Sequence, residues 1–202
     1  MTAFSVPARL MVRPFRGYAE LARANATASG DEGAGSGDRR PSVVVGMARF
    51  LFVFGAFVSL TATGRLSPIE LFSAMISFSY VPVIHFIAIA VATRVVAREL
   101  PVKRAFALYA EGYGPWLAFM LLVAAATVFG PSPLRVLGAA GAPLLLGATA
   151  WSVLLTFACF RSGFGLSRGR AALGLGIHYL LVVAINLGYY IAAGQLLPLV
   201  LR

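Results

Sequence analysis

Acidic residues are scarce in this chain of 202: seven, against seventeen lysines and arginines. That scarcity leaves no paired carboxylates for general acid–base work. Lys103 is the only lysine and Cys159 the only cysteine. A lone cysteine excludes an intrachain disulfide. There are two histidines, His85 and His178, and no HxxxH, ExxH or CxxC spacing. A metal site draws three or four ligands at defined spacing, so none is expected. Gly163-Phe164-Gly165 is too short for a phosphate cradle. No enzyme and no cofactor are expected. Charge as a whole is sparse, at 12% of residues, about half the share in a soluble domain.

What the chain has instead is apolar. Hydrophobic residues make up 59% of it, and mean hydropathy is +0.85. A water-soluble globule of this size cannot cover so much apolar surface, but lipid can. Five apolar stretches fall near residues 43–63, 69–93, 108–129, 136–160 and 171–194, with an apolar tail at 196–201. Each is long enough to cross about 30 Å of hydrocarbon as a helix. A barrel strand would alternate apolar and polar residues, and these runs are apolar on every side. The expected fold is all-α, a bundle of five transmembrane helices over 42–202.

The net charge of +10 does not point to nucleic acid, because the cations lie in short segments between apolar runs rather than on one soluble face. Their distribution sets orientation instead. The segment up to Arg49, the loop holding Arg94, Arg98, Lys103 and Arg104, and the loop holding Arg161, Arg168 and Arg170 carry fourteen cations. Arg65, Arg135 and Arg202 are the three on the other side. Positive segments stay cytoplasmic, so the N-terminus is expected inside and the C-terminus outside. The bias towards arginine fits a GC-rich genome, and the expected location is a bacterial inner membrane. The first 25 residues do not read as a signal peptide. They have no apolar core of the needed length and are broken by Arg9, Arg13 and Arg16.

Before the spans comes a basic arm, residues 1–24. Leu10, Pro14, Tyr18 and Leu21 recur at helical spacing with Phe15 beside them, and Arg9, Arg13, Arg16 and Arg23 interleave. This predicts an amphipathic helix on an anionic membrane surface; the alternative is a solvated tail. Pro14 is expected to open the helix. Residues 25–41 are small, polar and glycine-rich, and read as a flexible linker.

Polar groups at membrane depth are functional candidates by default. His85, Glu111, His178 and Asn186 are these, and together they could line a polar cavity. The competing reading is hydrogen bonding within the bundle, each imidazole to a hydroxyl or carbonyl and Asn186 between helices. Glu111 has Lys103 and Arg104 as nearby partners. Pro82, Pro143 and the Gly112–Pro115 stretch are expected to kink their spans. Ala184, Gly188 and Ala192, and Gly138 with Ala142, form small-residue ladders suited to close helix packing.

Two short segments carry a resemblance. Met11-Val12-Arg13-Pro14-Phe15-Arg16-Gly17-Tyr18-Ala19-Glu20-Leu21, followed by five spans, is similar to prokaryotic proteins of the Ypt-interacting protein (Yip) family. Tyr109 through Pro115 resembles the Tyr-Gly and Gly-Tyr elements those proteins carry near a span entrance. Of the eukaryotic Asp-Leu-Tyr-Gly-Pro element, Tyr113, Gly114 and Pro115 are present. The resemblance implies a non-enzymatic role in organising membrane or protein partners, as eukaryotic members do in trafficking and membrane shaping. Expected partners are the lipid bilayer, anionic lipid at the cytoplasmic face, and a membrane protein or a second copy of the chain. A small transporter, or a subunit of one, is the alternative.

Overall fold

The computed structural model describes residues 10–30, 43–129 and 141–200. Among them the chain is all-α with no strand. The arm is α1 (Pro14–Gly30). The spans are α2 (Val43–Thr63); α3 (Pro68–Ser77) continued by α4 (Tyr80–Val96); α5 (Val102–Ala110) and α6 (Gly114–Phe129), joined by a 3₁₀ turn (Glu111–Tyr113); α7 (Ala142–Ala158) ending in a π turn (Cys159–Gly163); and α8 (Arg168–Val200). Five helical stretches are long and apolar enough to cross a membrane, as expected. Arg9, Arg39, Arg40, Arg135, Arg202, Gly138 and the start of the fourth stretch lie outside the described residues.

Two spans are broken ahead of a proline. Proline has no N–H for the carbonyl four residues back. Pro82 leaves Phe78 without that bond, and α3 stops there. Pro115 does the same at Glu111, where the 3₁₀ turn begins. Pro143 sits instead in the first turn of α7, a position where proline costs nothing.

Outer faces are apolar and polar side chains turn inward, the order a lipid solvent imposes. Val83, Ile87, Val91 and Val95 form one exposed stripe on α4; Leu180, Val183, Leu187 and Ile191 form another on α8. At the end away from the arm, buried Ser59 donates to the Arg65 carbonyl (3.0 Å) and accepts from the Ser67 N–H (2.7 Å). That fixes the turn between the first two spans. The ladder Ala184–Gly188–Ala192 does not pack within the chain. Nothing lies within 4 Å of a Cβ placed at Gly188, because α8 turns its His178 face to α4 and leaves the ladder outside.

The arm departs most from expectation. Pro14 does open its helix. Its apolar face, however, is buried in protein rather than laid on a surface: Leu10 is 1% exposed and Tyr18 0%. The arm packs chiefly on the π turn and on α7 and α5. Each such apolar side chain removed from water contributes about 1.5–3 kcal/mol. Arg13, Arg16 and Arg23 stay on the exposed side. The helix also runs to Gly30, six residues into the stretch expected to be linker. Asn25 to Ser29 contain no proline or glycine to stop it, and Gly30 is the first breaker.

The arm reaches the bundle through glycines. A Cβ on Gly112 would lie 2.5 Å from the Tyr18 hydroxyl, and one on Gly114 3.2 Å from Met11 Sδ. Gly112 does not have the positive φ that demands glycine, so the requirement is space alone. Gly112→Ala is expected to undock the arm and speed trypsin cleavage at Arg16 and Arg23 by about tenfold, the overpacking cost being about 1–3 kcal/mol. The Tyr18 ring carbon Cζ would be 3.8 Å from that Cβ. Adding Tyr18→Phe should therefore restore protection, and failure to do so would contradict this contact. Burial, then the neighbouring Cys159 and Glu111, raise the docked Tyr18 phenol well above its usual pKa. The docked form thus holds its proton while the undocked form ionises near pH 10. Docking should be flat through neutral pH and weaken as pH rises past about 10, by up to about 1.4 kcal/mol per unit. The mobility of a spin label at position 16 reads this, and Tyr18→Phe should lack it.

Candidate functional site

The structure brings His85 and His178 together. α4 carries the first, α8 the second, and their ring centroids are 5.3 Å apart. Between them stands Tyr109 of α5. Its hydroxyl is 2.7 Å from His85 Nδ1 and 3.2 Å from His178 Nε2. Each imidazole thus bonds a hydroxyl of the bundle, and the same one. The hydroxyl has a single proton, so it donates to one ring and accepts from the other. His178 Nδ1 is buried without a partner among the described residues. A buried orphan N–H costs more than an orphan lone pair. The assignment with the fewest orphan donors has His178 Nε2–H donating to Tyr109, and Tyr109 donating to His85 Nδ1, with both rings neutral.

Tyr113 completes the cluster one turn on. Its ring packs edge-on against Tyr109 (5.3 Å) and His85 (5.9 Å) and tilts on Phe50 of α2 (5.0 Å). Its hydroxyl is buried, with no well-formed hydrogen bond among the described residues. Gly114 and Pro115 follow as the first residues of α6, Gly114 meeting Met11 of the arm and Pro115 buried. The 109–115 stretch is therefore a hub. One side meets the histidines, and the other meets the arm through Gly112 and Tyr18. The two segments that carry the family resemblance pack against each other.

The other two candidates lie elsewhere. Glu111 pairs with Arg49 of α2 at 3.7 Å, its side chain 16% exposed. Lys103 and Arg104 are eight and seven residues away along the chain, roughly 10–12 Å of helix, and neither pairs with it. Arg104 bonds the Ala22 carbonyl of the arm instead (3.2 Å). Asn186 turns back on its own helix, donating to the Val182 carbonyl (2.7 Å). Gln195 lies on α8, beyond the residues whose side chains are described.

Two things were missed from sequence. Tyr109 stands in the sequence as part of the family-like stretch and not as the hydroxyl that joins the histidines, although Tyr109 and Tyr113 at i, i+4 are the available signal. The second is a cavity of about 510 Å³ at the arm end, lined by Phe15, Phe157, Arg161, Ser162, Gly165 and Arg168. Among the described residues, no cluster of three or more His, Cys, Asp or Glu could hold a metal. No protein-family model, curated protein or solved structure matches the chain.

Chemically, the triad can order a proton between two rings, and it ties three spans together. Tyr109→Phe removes the partner of both imidazoles. An orphaned buried polar group costs about 1–3 kcal/mol, so thermal unfolding in detergent should shift down by several degrees. An unchanged Tm would contradict the bonded assignment.

Proposed function

We propose that this integral membrane protein is not an enzyme and organises lipid or protein partners at its arm end, in the Yip manner. That end is cytoplasmic. The observation that supports this reading is where the polar groups stand. Of the two histidines, His178 is fully buried and His85 half-buried, and both are turned to the Tyr109 hydroxyl inside the bundle. Exposed cations gather at one end, on the arm (Arg13, Arg16, Arg23), on α4 and after it (Arg94, Arg98), and at the start of α8 (Arg168, Arg170). Anionic lipid headgroups or an acidic partner surface are what such a face attracts.

The docked arm sharpens this reading. A free amphipathic helix would spend its apolar face on lipid; here Leu10 and Tyr18 are taken by the bundle, which leaves the basic face outward. The family resemblance supports the same role, since its two segments meet where the arm docks. A transport role has less support: of its four polar groups only His85 and His178 converge, and they do so on a packed hydroxyl.

Site-specific photo-crosslinking of the full chain in its native membrane tests the proposal. Crosslinkers at Val12 (75% exposed) and Arg16 face outward from the arm; one at Leu66 (60% exposed) marks the opposite end. The arm positions should give defined lipid or protein adducts that high salt reduces, and Leu66 should not. Equal, salt-insensitive labelling at both ends would contradict it.

A further inference from the structure

The cavity at the arm end is used by neither the triad nor the arm's docking contact. The π turn supplies Arg161 and Ser162, and α8 begins with Arg168. The chain can turn back between them because Gly165 adopts φ +69°, open to glycine at no steric cost. Phe15 of the arm and Phe157 of α7 form one wall, edge to face at 6.2 Å. The wall exists only because the arm is docked.

The charge of this cavity is uncompensated. Arg161 gives one guanidinium N–H to the Leu166 carbonyl (2.6 Å), which fixes its plane and leaves the rest of its donors. Among the described residues, no carboxylate pairs with Arg161 or Arg168; Glu20 pairs with Arg16 and Glu111 with Arg49. Two guanidinium groups and a serine hydroxyl form a donor set for a phosphate, which Arg binds through two parallel bonds. The N-terminus of α8 adds partial positive charge. A free phosphate has no use for the aromatic wall. A lipid does, because its glycerol and first methylenes must leave the phosphate along an apolar path. The cavity lies where α7 ends and α8 begins, at the end of two of the apolar spans.

We propose that this pocket binds the phosphate-bearing head of one anionic glycerophospholipid, Arg161 and Arg168 holding the phosphate and Phe15 and Phe157 flanking its glycerol end. The assignment rests on the reading above, that this end meets an anionic leaflet. It replaces a diffuse basic face with a single site.

Native mass spectrometry of the full chain in neutral detergent tests it, with dioctanoyl phosphatidylglycerol as the probe. One saturable molecule per chain is expected. Arg168→Gln, an exposed change that should leave Tm unaltered, should weaken binding about tenfold. Arg161→Lys keeps the charge but loses the planar fork, and should weaken it several-fold. Phe157→Ala should weaken lipid binding and leave inorganic phosphate unaffected. Arg65→Gln, at the far end, should change nothing. Wild-type affinity in both Arg168→Gln and Arg161→Lys overturns the site. Equal binding of dioctanoyl phosphatidylcholine overturns the charge argument, and displacement by equimolar inorganic phosphate overturns the lipid assignment. If only Arg13, Arg16 and Arg23→Gln abolish binding, the pocket fails and the basic-face reading stands. If no arginine change matters, both fail.

Discussion

The seating of Tyr18 over Gly112 is the contact on which the arm end depends. It needs a side chain long enough to reach the third span and a residue there with no Cβ in the way. The same ring also lies beside Gly163 in the π turn, where an added Cβ would be 3.4 Å from Tyr18 Cδ1 and 3.7 Å from Cys159 Sγ. One tyrosine thus joins the arm to the third and fourth spans. Phe15, three residues earlier on the same helix, is held against Phe157 as a consequence. Among the described residues the hydroxyl has no well-formed hydrogen-bond partner, only the Cys159 thiol beside it. Its burial is therefore a cost set against the packing of the ring, so at this contact shape holds the arm, while Arg104 adds a hydrogen bond to the Ala22 carbonyl further along.

Within the spans the governing constraint is different. Lipid gives no hydrogen bonds, so each polar side chain must find a partner inside the protein or at its ends. His85 and His178 share Tyr109, Asn186 uses the backbone behind it, and Glu111 takes Arg49. Arg49 is 46% exposed at its side chain, so the Glu111 pair lies at the margin of the bundle and not in its packed interior. Each solution is local. Together they answer most of the polar groups inside the bundle, and the exposed cations Arg13, Arg16, Arg94, Arg98, Arg168 and Arg170 stand at the arm end.

Much of this was legible in the sequence. Five runs of about twenty apolar residues admit one architecture in a bilayer, and Pro14 marked the start of the arm helix. The periodicity of Leu10, Pro14, Tyr18 and Leu21 revealed an apolar face. It could not say whether lipid or protein covers that face, since both are apolar. The answer depended on a glycine ninety-four residues away in sequence, Gly112. The histidines were visible as candidates, but their shared partner was not, because spacing along one helix says nothing of how three helices are rotated against each other. The partner of Glu111 is hidden for a simpler reason: Lys103 and Arg104 are near it in sequence, whereas Arg49, sixty-two residues away, is near it in space. The pocket was hidden because its residues come from the arm, the end of one span and the start of another.

Amide hydrogen exchange over residues 14–24 of the full chain, in nanodiscs of phosphatidylcholine alone and with anionic phosphatidylglycerol, tests the docked arm most directly. Docking predicts that Tyr18 and its neighbours are protected equally in both lipids, since their cover is protein. Fast exchange in phosphatidylcholine, with protection appearing only when anionic lipid is added, would show an arm that lies on the membrane and would contradict the account.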